Sequence, residues 1–382
     1  MESSIRQLKT KYNPMKSIIS IVIPLLLMGA CQINTQDEDP HLNKIQVIGS
    51  HNSYKRAIEP ALFTVLQNYD ESVKSMIGGL EYEHIDIPDQ LDLGLRNLEI
   101  DVYADTLGGK YAHPKGLEMA KPETPYDPDS IMAKPGFKVL HVPDIDFRSS
   151  CLTLEGCLQQ LKQWSDANAG HIPVFITLEA KDWGNHTENK YALTIPEKYT
   201  QKLFNELDRV IRTDLGEEKL ITPDMVRGDY ATLNEAVLND NWPTLKKAKG
   251  RFLFILDDKG EKRALYMDGH PSLKGRVLFV NAEPGTPEAA TLIKNNPQDP
   301  TIKDLVKLGY IIRTRADSDT REARNNDYTN FQAACESGAQ IITTDYYKKS
   351  TFFNSPYHVS FDDSTYVRVN PLFATKIKSD IK

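Results

Sequence analysis

Cysteine is scarce in this sequence, with four residues in 382. That number is too small for a disulfide-stapled scaffold, and no CxxC pair or cysteine–histidine spacing supports a zinc site. Cys151 and Cys157 nevertheless lie close together in RSSCLTLEGCLQQLKQW. In an oxidising compartment they are candidates for a local disulfide at a helix start, and two half-buried thiols are the alternative.

The sequence also lacks an excess of basic residues. It carries 46 Lys and Arg against 53 Asp and Glu, a net charge of −7. This balance argues against nucleic acid or an anionic membrane surface as an electrostatic partner, but it leaves room for a metal ion. With 40% hydrophobic and 26% charged residues, the composition is that of an ordinary globular protein, and we expect a monomer.

No apolar run is long enough to span a bilayer. The longest, Ile18–Met28, follows a lysine, is interrupted by Pro24 and ends in the sequence MGAC. A positive start, a short apolar core and small residues are typical of a signal peptide, and MGAC resembles the bacterial lipoprotein box. We therefore expect a leader at 1–30, a lipid anchor at Cys31 and a tether at 31–43, in a protein of the bacterial envelope. The sequence does not determine which membrane leaflet holds the anchor. A plain secretory signal is the alternative.

The remaining chain, 44–382, is predicted to form one domain in which short β-branched runs alternate with helical patterns. No GxGxxG follows the first run, which weakens a dinucleotide-binding interpretation. Eight nearly continuous apolar runs with interleaved helices predict an α/β fold, a single (β/α)8 TIM-type barrel, with a doubly wound open sheet as the alternative. The eight predicted strands are 44–50, 95–103, 137–142, 172–180, 251–258, 276–282, 310–316 and 340–346.

Ionisable and polar side chains gather at the ends of these runs. In a barrel the carboxyl ends of the strands form the active-site face, and buried ionisable groups are costly unless they are paired or bound to a metal. Alternate residues of a strand point the same way, so each ExD or ExK pair presents both side chains together. The residues concerned are His51, Asn52, Glu99, Asp101, His141, Glu179, Lys181, Arg313, Arg315 and Asp345.

Three carboxylates on one rim predict a metal site. Glu99, Asp101 and Glu179 would repel one another without a cation, and Asn52 adds a neutral oxygen ligand. Oxygen-only ligation suits Ca²⁺ or Mg²⁺ rather than zinc. His51 and His141 remain available for proton transfer, and a cation beside two histidines suits attack on a phosphodiester.

The segments GSHNSY, LEIDVY, VLHV and ITLEAKD resemble the catalytic X-region of calcium-dependent phosphoinositide phospholipases C. The longer segments PGFKVLHVPDIDFRSSC and LKQWSDAN resemble the secreted bacterial branch of that family, and the resemblance runs from about residue 44 to about 346. It implies a barrel and a phosphoinositide-type substrate. The inositol 2-hydroxyl attacks phosphorus, diacylglycerol leaves, and a cyclic phosphate forms that water can open.

The same resemblance implies roles for individual residues. The expected calcium ligands are Asn52, Glu99, Asp101 and Glu179. His51 matches the histidine that stabilises the transition state, and His141 matches the general acid. Glu99 or Asp101 matches the general base. Lys181 and Arg313 are candidates for phosphate contacts.

Several alternatives remain open at this stage. His113 lies nearer to Asp101 along the chain than His141 does, but VLHV places His141 at a predicted strand end. Glu99 and Asp101 could instead belong to an ion-pair network with Arg96, Arg313 and Arg315. Asp345 by itself is interpreted as structural. The competing functions are a glycerophosphodiester phosphodiesterase and a non-catalytic surface lipoprotein that binds a phospholipid or sugar. The head group, and Ca²⁺ against Mg²⁺, are undetermined.

Overall fold

The structure is a computed structural model that describes residues 39–69, 71–121, 124–182 and 193–374. The predicted leader at 1–30 and Cys31 lie outside the described residues. The last part of the predicted tether, from residue 39, is described. There the Leu42 side chain is fully buried, and its backbone N–H donates to the carbonyl of Pro243.

Ten strands are present in the described part of the chain. They are β1 Ile45–Ser50, β2 Asn97–Asp105, β3 Gly136–Lys138, β4 Val174–Ala180, β5 Phe252–Leu256, β6 Phe279–Val280, β7 Thr291–Ile293, β8 Ile311–Arg315, β9 Ile341–Thr344 and β10 Val367–Val369.

Eight of these strands form a parallel barrel in the order β6-β5-β4-β2-β1-β9-β8-β7. The two ends of that order approach each other through a parallel bridge between Asn281 and Thr291, so the barrel is nearly closed. The other two strands are antiparallel additions: β10 pairs with β1 and β3 pairs with β2. The predicted eight-stranded α/β barrel is confirmed.

Helices lie between the strands in sequence. The helices of the described residues are α1 Pro60–Gln67, α2 Glu71–Gly78, α3 Ile87–Leu93, α4 Gly116–Ala120, α5 Leu154–Ala167, α6 Gln201–Leu215, α7 Pro223–Arg227, α8 Leu233–Leu238, α9 Leu245–Ala248, α10 Gly260–Met267, α11 Ile302–Lys307, α12 Arg321–Asn325 and α13 Thr329–Ser337. None of them is both long and apolar enough to cross a bilayer.

Helix α5 shows how the sequence sets these boundaries. Thr153 is its N-cap, and the threonine hydroxyl accepts a hydrogen bond from the backbone N–H of Gly156, which would otherwise lack a partner. The apolar residues Leu154, Leu158 and Leu161 recur at helical spacing and are fully buried against the barrel. Cys151 and Cys157 are joined by a disulfide at the start of this helix.

The prediction was wrong about two strands. Residues 137–142 were predicted as the third barrel strand, but the strand ends at Lys138 and runs antiparallel on the extension of β2. The barrel strand β7, Thr291–Ile293, was not predicted, because a strand of three residues gives almost no β-branched run to detect. The prediction therefore gave the correct number of barrel strands, eight, because it included one strand that is not in the barrel, 137–142, and omitted one that is, β7.

Strands β1 and β2 meet at a single register pair, Gly49 opposite Asn97. A Cβ atom on Gly49 would lie 2.4 Å from the backbone oxygen of Asn97, so only glycine permits this approach. The contact lies one residue before the end of β1. It therefore brings the residues that follow β1 and the polar residues of β2 to the same end of the barrel.

Candidate active site

The three carboxylates predicted to bind a metal lie together in the structure. Glu99 and Asp101 are on β2, and Asp101 is the register partner of Glu179 on β4. Neighbouring residues of parallel strands point to the same face, so Asp101 and Glu179 both point into the barrel mouth. One carboxylate oxygen from each of the three residues lies within 4.8 Å of the others.

Asp101 provides the test of whether a cation fits this cluster. Its side chain is fully buried, and neither carboxylate oxygen has a hydrogen-bond partner among the described residues. Burial, above all, raises the pKa of Asp101 well above its ordinary value, and the charges of Glu179 and Glu99 add to the effect. The Lys181 ammonium offsets part of this cost, 3.2 Å from Asp101 and 2.7 Å from Glu179. The donors are all oxygen, so the cluster fits a hard divalent cation such as Ca²⁺.

Asn52 reaches the mouth through the turn that follows β1. Its backbone is in the left-handed region, at φ 50°, which asparagine tolerates better than most residues. The side-chain Nδ2 donates to the hydroxyl of Tyr82 at 2.8 Å, which directs the amide oxygen away from that tyrosine. The turn is tied to β2, because the backbone N–H of Ser53 donates to the Glu99 carbonyl at 2.9 Å. Asn52 is therefore held beside the strand that carries two of the three carboxylates.

His51 is fixed between two acidic side chains. Its Nδ1 lies 2.8 Å from Oδ1 of Asp345, and its Nε2 lies 3.3 Å from Oε1 of Glu99. Arg315 approaches the same Nδ1 at 3.2 Å. Burial, followed by the charge of Arg315, lowers the pKa of His51 well below its ordinary value, and Glu99 opposes this effect. This environment favours the neutral form of the imidazole.

His141 is held by a second buried carboxylate. Its Nδ1 lies 2.8 Å from Oδ2 of Asp146, and Lys55 is paired with the same carboxyl group at 3.3 Å. The hydroxyl of Tyr103 donates to the His141 carbonyl at 2.7 Å. The prediction that His141 ends a barrel strand was wrong, because it lies in the loop after β3. It is still close enough for its charge to lower the pKa of His51.

The competing histidine, His113, is exposed in the segment between β2 and α4. His141, by contrast, is partly buried and carries a carboxylate partner like that of His51. The geometry therefore favours His141 of the two as the partner of His51.

The two predicted phosphate contacts already have partners. Arg313 forms an ion pair with Glu99 and a hydrogen bond with the amide oxygen of Asn295. Lys181 pairs with Asp101 and Glu179, as described above. The proposed arginine network is thus present in part, because Arg313 pairs with Glu99. Arg96 instead donates to the carbonyls of Leu91 and Leu95.

The electrostatics distinguish Glu99 from Asp101. Burial by itself would raise the pKa of Glu99, but Arg313 above all, then His51 and Arg315, hold it below its ordinary value. An ionised, arginine-paired carboxylate is a good metal ligand and a weak proton acceptor. This argues against the predicted role of Glu99 as the base.

Sequence reasoning missed three residues at or near the site, Asp146, His84 and Asp257, and it missed the function of a fourth residue, Asp345. Asp345 was interpreted as structural, although it holds His51. His84 is buried, and its Nε2 lies 2.7 Å from the His51 carbonyl oxygen. Asp257 could have been found from the sequence, because it directly follows β5 and therefore lies at the carboxyl end of a predicted strand. His84 gave no signal, because its segment has no regular pattern.

The fold resembles solved phospholipases C. One is the calcium-dependent phosphoinositol-specific phospholipase C of a Gram-negative bacterium, Pseudomonas sp.. The two sequences are 16% identical, the match covers 87% of this chain and 96% of that chain, and the TM-score is 0.53. Another is the Ca²⁺-dependent phosphatidylinositol-specific enzyme of Streptomyces antibioticus, with 19% identity, coverages of 81% and 95%, and a TM-score of 0.50. The fold is therefore that of the phospholipase C-type barrels.

The family follows from the sequence match. The family described as phosphoinositide phospholipase C, Ca²⁺-dependent, matches residues 41–371. The chain belongs to this family. No curated protein sequence matches the chain.

The carboxylate cluster predicts how calcium affects stability. Ca²⁺ should raise the melting temperature of the wild type, because a ligand that binds only the folded state stabilises it. Asp101→Asn should weaken Ca²⁺ binding about 100-fold or more, while the calcium-free variant melts no lower than the wild type, since the substitution relieves the repulsion among three carboxylates and Lys181 keeps Glu179 as its partner. Differential scanning calorimetry with Ca²⁺ and with chelator measures both effects. Glu197→Gln, outside the cluster, is the control, and an undiminished calcium shift in Asp101→Asn would contradict the assignment.

His84 predicts a pH dependence of stability. Burial lowers its pKa to about 4, below the value of about 6.5 in the unfolded chain. The unfolded state therefore binds more protons between these values, and the stability present above pH 6.5 is lost as the pH falls towards 4. Linkage gives a loss of about 2 kcal/mol at pH 4.5. Urea unfolding at pH 7 and at pH 4.5 measures this loss of unfolding free energy. The loss should be smaller in His84→Gln than in the wild type, and the control His113→Gln should keep the wild-type loss. Equal losses in the wild type and His84→Gln would refute the role of His84.

Proposed function

We propose that this member of the calcium-dependent phosphoinositide phospholipase C family cleaves phosphatidylinositol-type lipids. The inositol 2-hydroxyl attacks phosphorus, diacylglycerol leaves, and an inositol cyclic phosphate is released or opened by water. One observation carries the proposal: two imidazoles, each held at Nδ1 by a buried carboxylate, lie at the mouth that holds the Glu99–Asp101–Glu179 cluster. Two such histidines can supply one proton acceptor and one proton donor.

His51 is the better candidate for accepting the proton of the 2-hydroxyl. Asp345 lies at its Nδ1; in the tautomer that carries the hydrogen there, the lone pair is on Nε2, which lies 3.3 Å from Oε1 of Glu99. Glu99 is held ionised by Arg313, with its pKa lowered, which makes it a weaker acceptor. In this role Asp345 is a positioning residue. It fixes the tautomer of His51 and stabilises the imidazolium that forms.

His141 is proposed as the general acid. Asp146 and Lys55 hold it in place, and the proton delivered from its Nε2 would go to the oxygen of the departing diacylglycerol. Two separate histidines allow one proton to be taken and another to be given within the same displacement at phosphorus.

Asn52, Glu99, Asp101 and Glu179 would hold the calcium ion. Calcium bound there would offset charge on the phosphoryl oxygens and lower the pKa of the ring hydroxyl. Lys181 and Arg313 add positive charge at the same mouth, where they pair with the carboxylates of the cluster, and are proposed to contact the phosphate from there.

The sequence of the first strand separates this proposal from its rivals. A glycerophosphodiester phosphodiesterase would continue the first strand as His-Arg-Gly, whereas this chain has His51-Asn52-Ser53. Membership of the phospholipase family also opposes a non-catalytic lipoprotein.

The reaction is tested by ³¹P NMR of phosphatidylinositol vesicles incubated with the protein. A cyclic inositol phosphate signal should appear with Ca²⁺ and disappear with chelator. His51→Gln and His141→Gln should each lower kcat about 1,000-fold or more, because each removes a proton-transfer group. His113→Gln should keep wild-type turnover. Turnover of glycerophosphocholine instead of phosphatidylinositol would favour the rival enzyme.

We also propose that the protein is anchored in the bacterial envelope by a lipid on Cys31, as a monomer. The MGAC sequence after the apolar run supports this. Mass spectrometry of protein extracted from membranes should find a lipidated Cys31 as the first residue, and Cys31→Ser should abolish the modification. An unmodified, soluble mature protein would contradict the anchor.

A further inference from the structure

The described chain enters the barrel at the end opposite the active-site mouth. The backbone N–H of Leu42 donates to the Pro243 carbonyl at 2.9 Å, and Nδ2 of Asn43 donates to the Gly309 carbonyl at 3.3 Å. Nε2 of Gln340 donates in turn to the Asn43 carbonyl at 2.9 Å. Gly309 and Gln340 precede β8 and β9, so both lie at the amino ends of parallel strands. The chain therefore joins the barrel at this amino-end face, whereas the catalytic residues lie at the carboxyl ends.

The segment that leads to the amino-end face is held in place from Asp39 onwards. The Pro40 carbonyl accepts a hydrogen bond from the backbone N–H of Leu245 at 2.8 Å. Oδ2 of Asp39 accepts one from the backbone N–H of Lys246 at 2.9 Å. Both donors belong to α9, the helix that precedes β5, so these contacts lie at the amino-end face as well. Asp39 therefore fixes the point from which the expected tether leaves the barrel.

The expected lipid anchor is separated from Asp39 by a short stretch of chain. Eight peptide bonds join Cys31 to Asp39, and they span at most about 29 Å when the chain is fully extended. A folded chain of about 340 residues has a radius of gyration of about 20 Å, so its opposite faces lie about 50 Å apart. A tether from the amino-end face would also have to pass outside the surrounding helices. It is therefore too short to bring the mouth onto the bilayer that holds Cys31.

We propose that the protein, anchored at Cys31, cleaves lipids of a second membrane that faces the one holding its anchor, and does not cleave lipids of its own bilayer. The amino-end face then lies towards the anchoring bilayer, and the mouth points away from it. This inference rests on the proposed function and on the proposed anchor. It adds the partner on which the enzyme acts, which is a separate lipid surface.

Two exposed leucines mark the two ends of the barrel. Leu107 lies two residues beyond the carboxyl end of β2 and is 88% exposed. Leu308 directly precedes Gly309 at the amino-end face and is 51% exposed. Neither side chain belongs to the proposed calcium site or to the proposed proton transfer. The two positions therefore form a matched pair for attaching a label or an anchor.

Orientation is measured independently of activity. In the mature protein carrying Cys335→Ser, Cys31 is the thiol left for labelling, since the other two cysteines form a disulfide. Cys31 is coupled to a maleimide phospholipid and inserted into phosphatidylcholine vesicles that contain an acceptor-dye lipid. A donor dye is attached by click chemistry to p-azidophenylalanine in place of Leu107 or of Leu308. Energy transfer should be stronger from the dye that replaces Leu308, and equal or stronger transfer from the dye that replaces Leu107 would overturn the orientation.

Cleavage by the same anchored protein is compared in two arrangements with Ca²⁺. In one, the protein shares its vesicles with phosphatidylinositol, at a dilution that makes encounters between vesicles rare. In the other, it is held in vesicles of phosphatidylcholine alone, which are mixed with separate phosphatidylinositol vesicles. The Cys31-anchored protein should cleave only the lipid of the separate vesicles. Moving the anchor to the mouth, with Cys31→Ser and Leu107→Cys, should raise cleavage within shared vesicles about 100-fold or more, because the lipid then comes within reach.

The length of the tether provides a second comparison. A Gly-Ser insertion of about 40 residues between Glu38 and Asp39 adds about 35 Å of average reach, and more when it is extended. It should raise cleavage within shared vesicles about 10-fold or more. The same insertion after Lys382 is the control and should leave that cleavage unchanged. An insertion before Asp39 that has no effect would contradict the explanation by tether length.

The outcomes separate this inference from the proposed function. If unanchored protein does not cleave phosphatidylinositol in mixed micelles with Ca²⁺, the proposed function fails and cleavage of a second membrane fails with it, whereas energy transfer still decides the orientation. If micellar lipid is cleaved but the Cys31-anchored protein cleaves lipid of its own vesicles as fast as the Leu107→Cys form, the inference fails and the function stands. Because the lipid is attached chemically, neither result depends on whether the cell lipidates Cys31.

Discussion

The site depends on the burial of negative charge at the end of a barrel. Three carboxylates share a space in which their oxygens come within 4.8 Å of one another, and the oxygens of Asp101 have no hydrogen bond there among the described residues. Such a cluster is tolerable only when positive charge compensates it. Lys181 and Arg313 supply part of that charge from inside the chain. A divalent cation supplies the rest, so calcium dependence follows from how the fold is built.

The same constraint shapes the two histidines. Each imidazole has a buried carboxylate at Nδ1, Asp345 for one and Asp146 for the other. These carboxylates are neutralised in turn by Arg315 and Lys55, at distances of 3.9 Å and 3.3 Å. The charges alternate outward from the mouth, which holds each imidazole ring in its orientation.

The site draws its side chains from segments that are distant in the sequence. Residues that follow β1 and β9 and the loop after β3 carry the proposed proton transfer. Residues of β2 and β4 carry the three carboxylates of the cluster. The parallel strands bring these segments together because their carboxyl ends meet at one end of the barrel.

The sequence by itself was enough for the barrel and for the convergence of the three carboxylates. Period-two patterning places Glu99 with Asp101 on one face of a strand, and the carboxyl ends of parallel strands meet at one rim, so their convergence with Glu179 follows from local rules. Tertiary structure alone decided which groups partner one another. Asp345 is 294 residues from His51, and nothing local marks it as the partner of that imidazole. The tertiary structure also corrected the prediction of a barrel strand at 137–142. The strand there is short and antiparallel, and His141 lies in the loop that follows it, in contact with Asp146. Periodicity reports which way a side chain faces, whereas pairing across the barrel depends on long-range closure that no local pattern encodes.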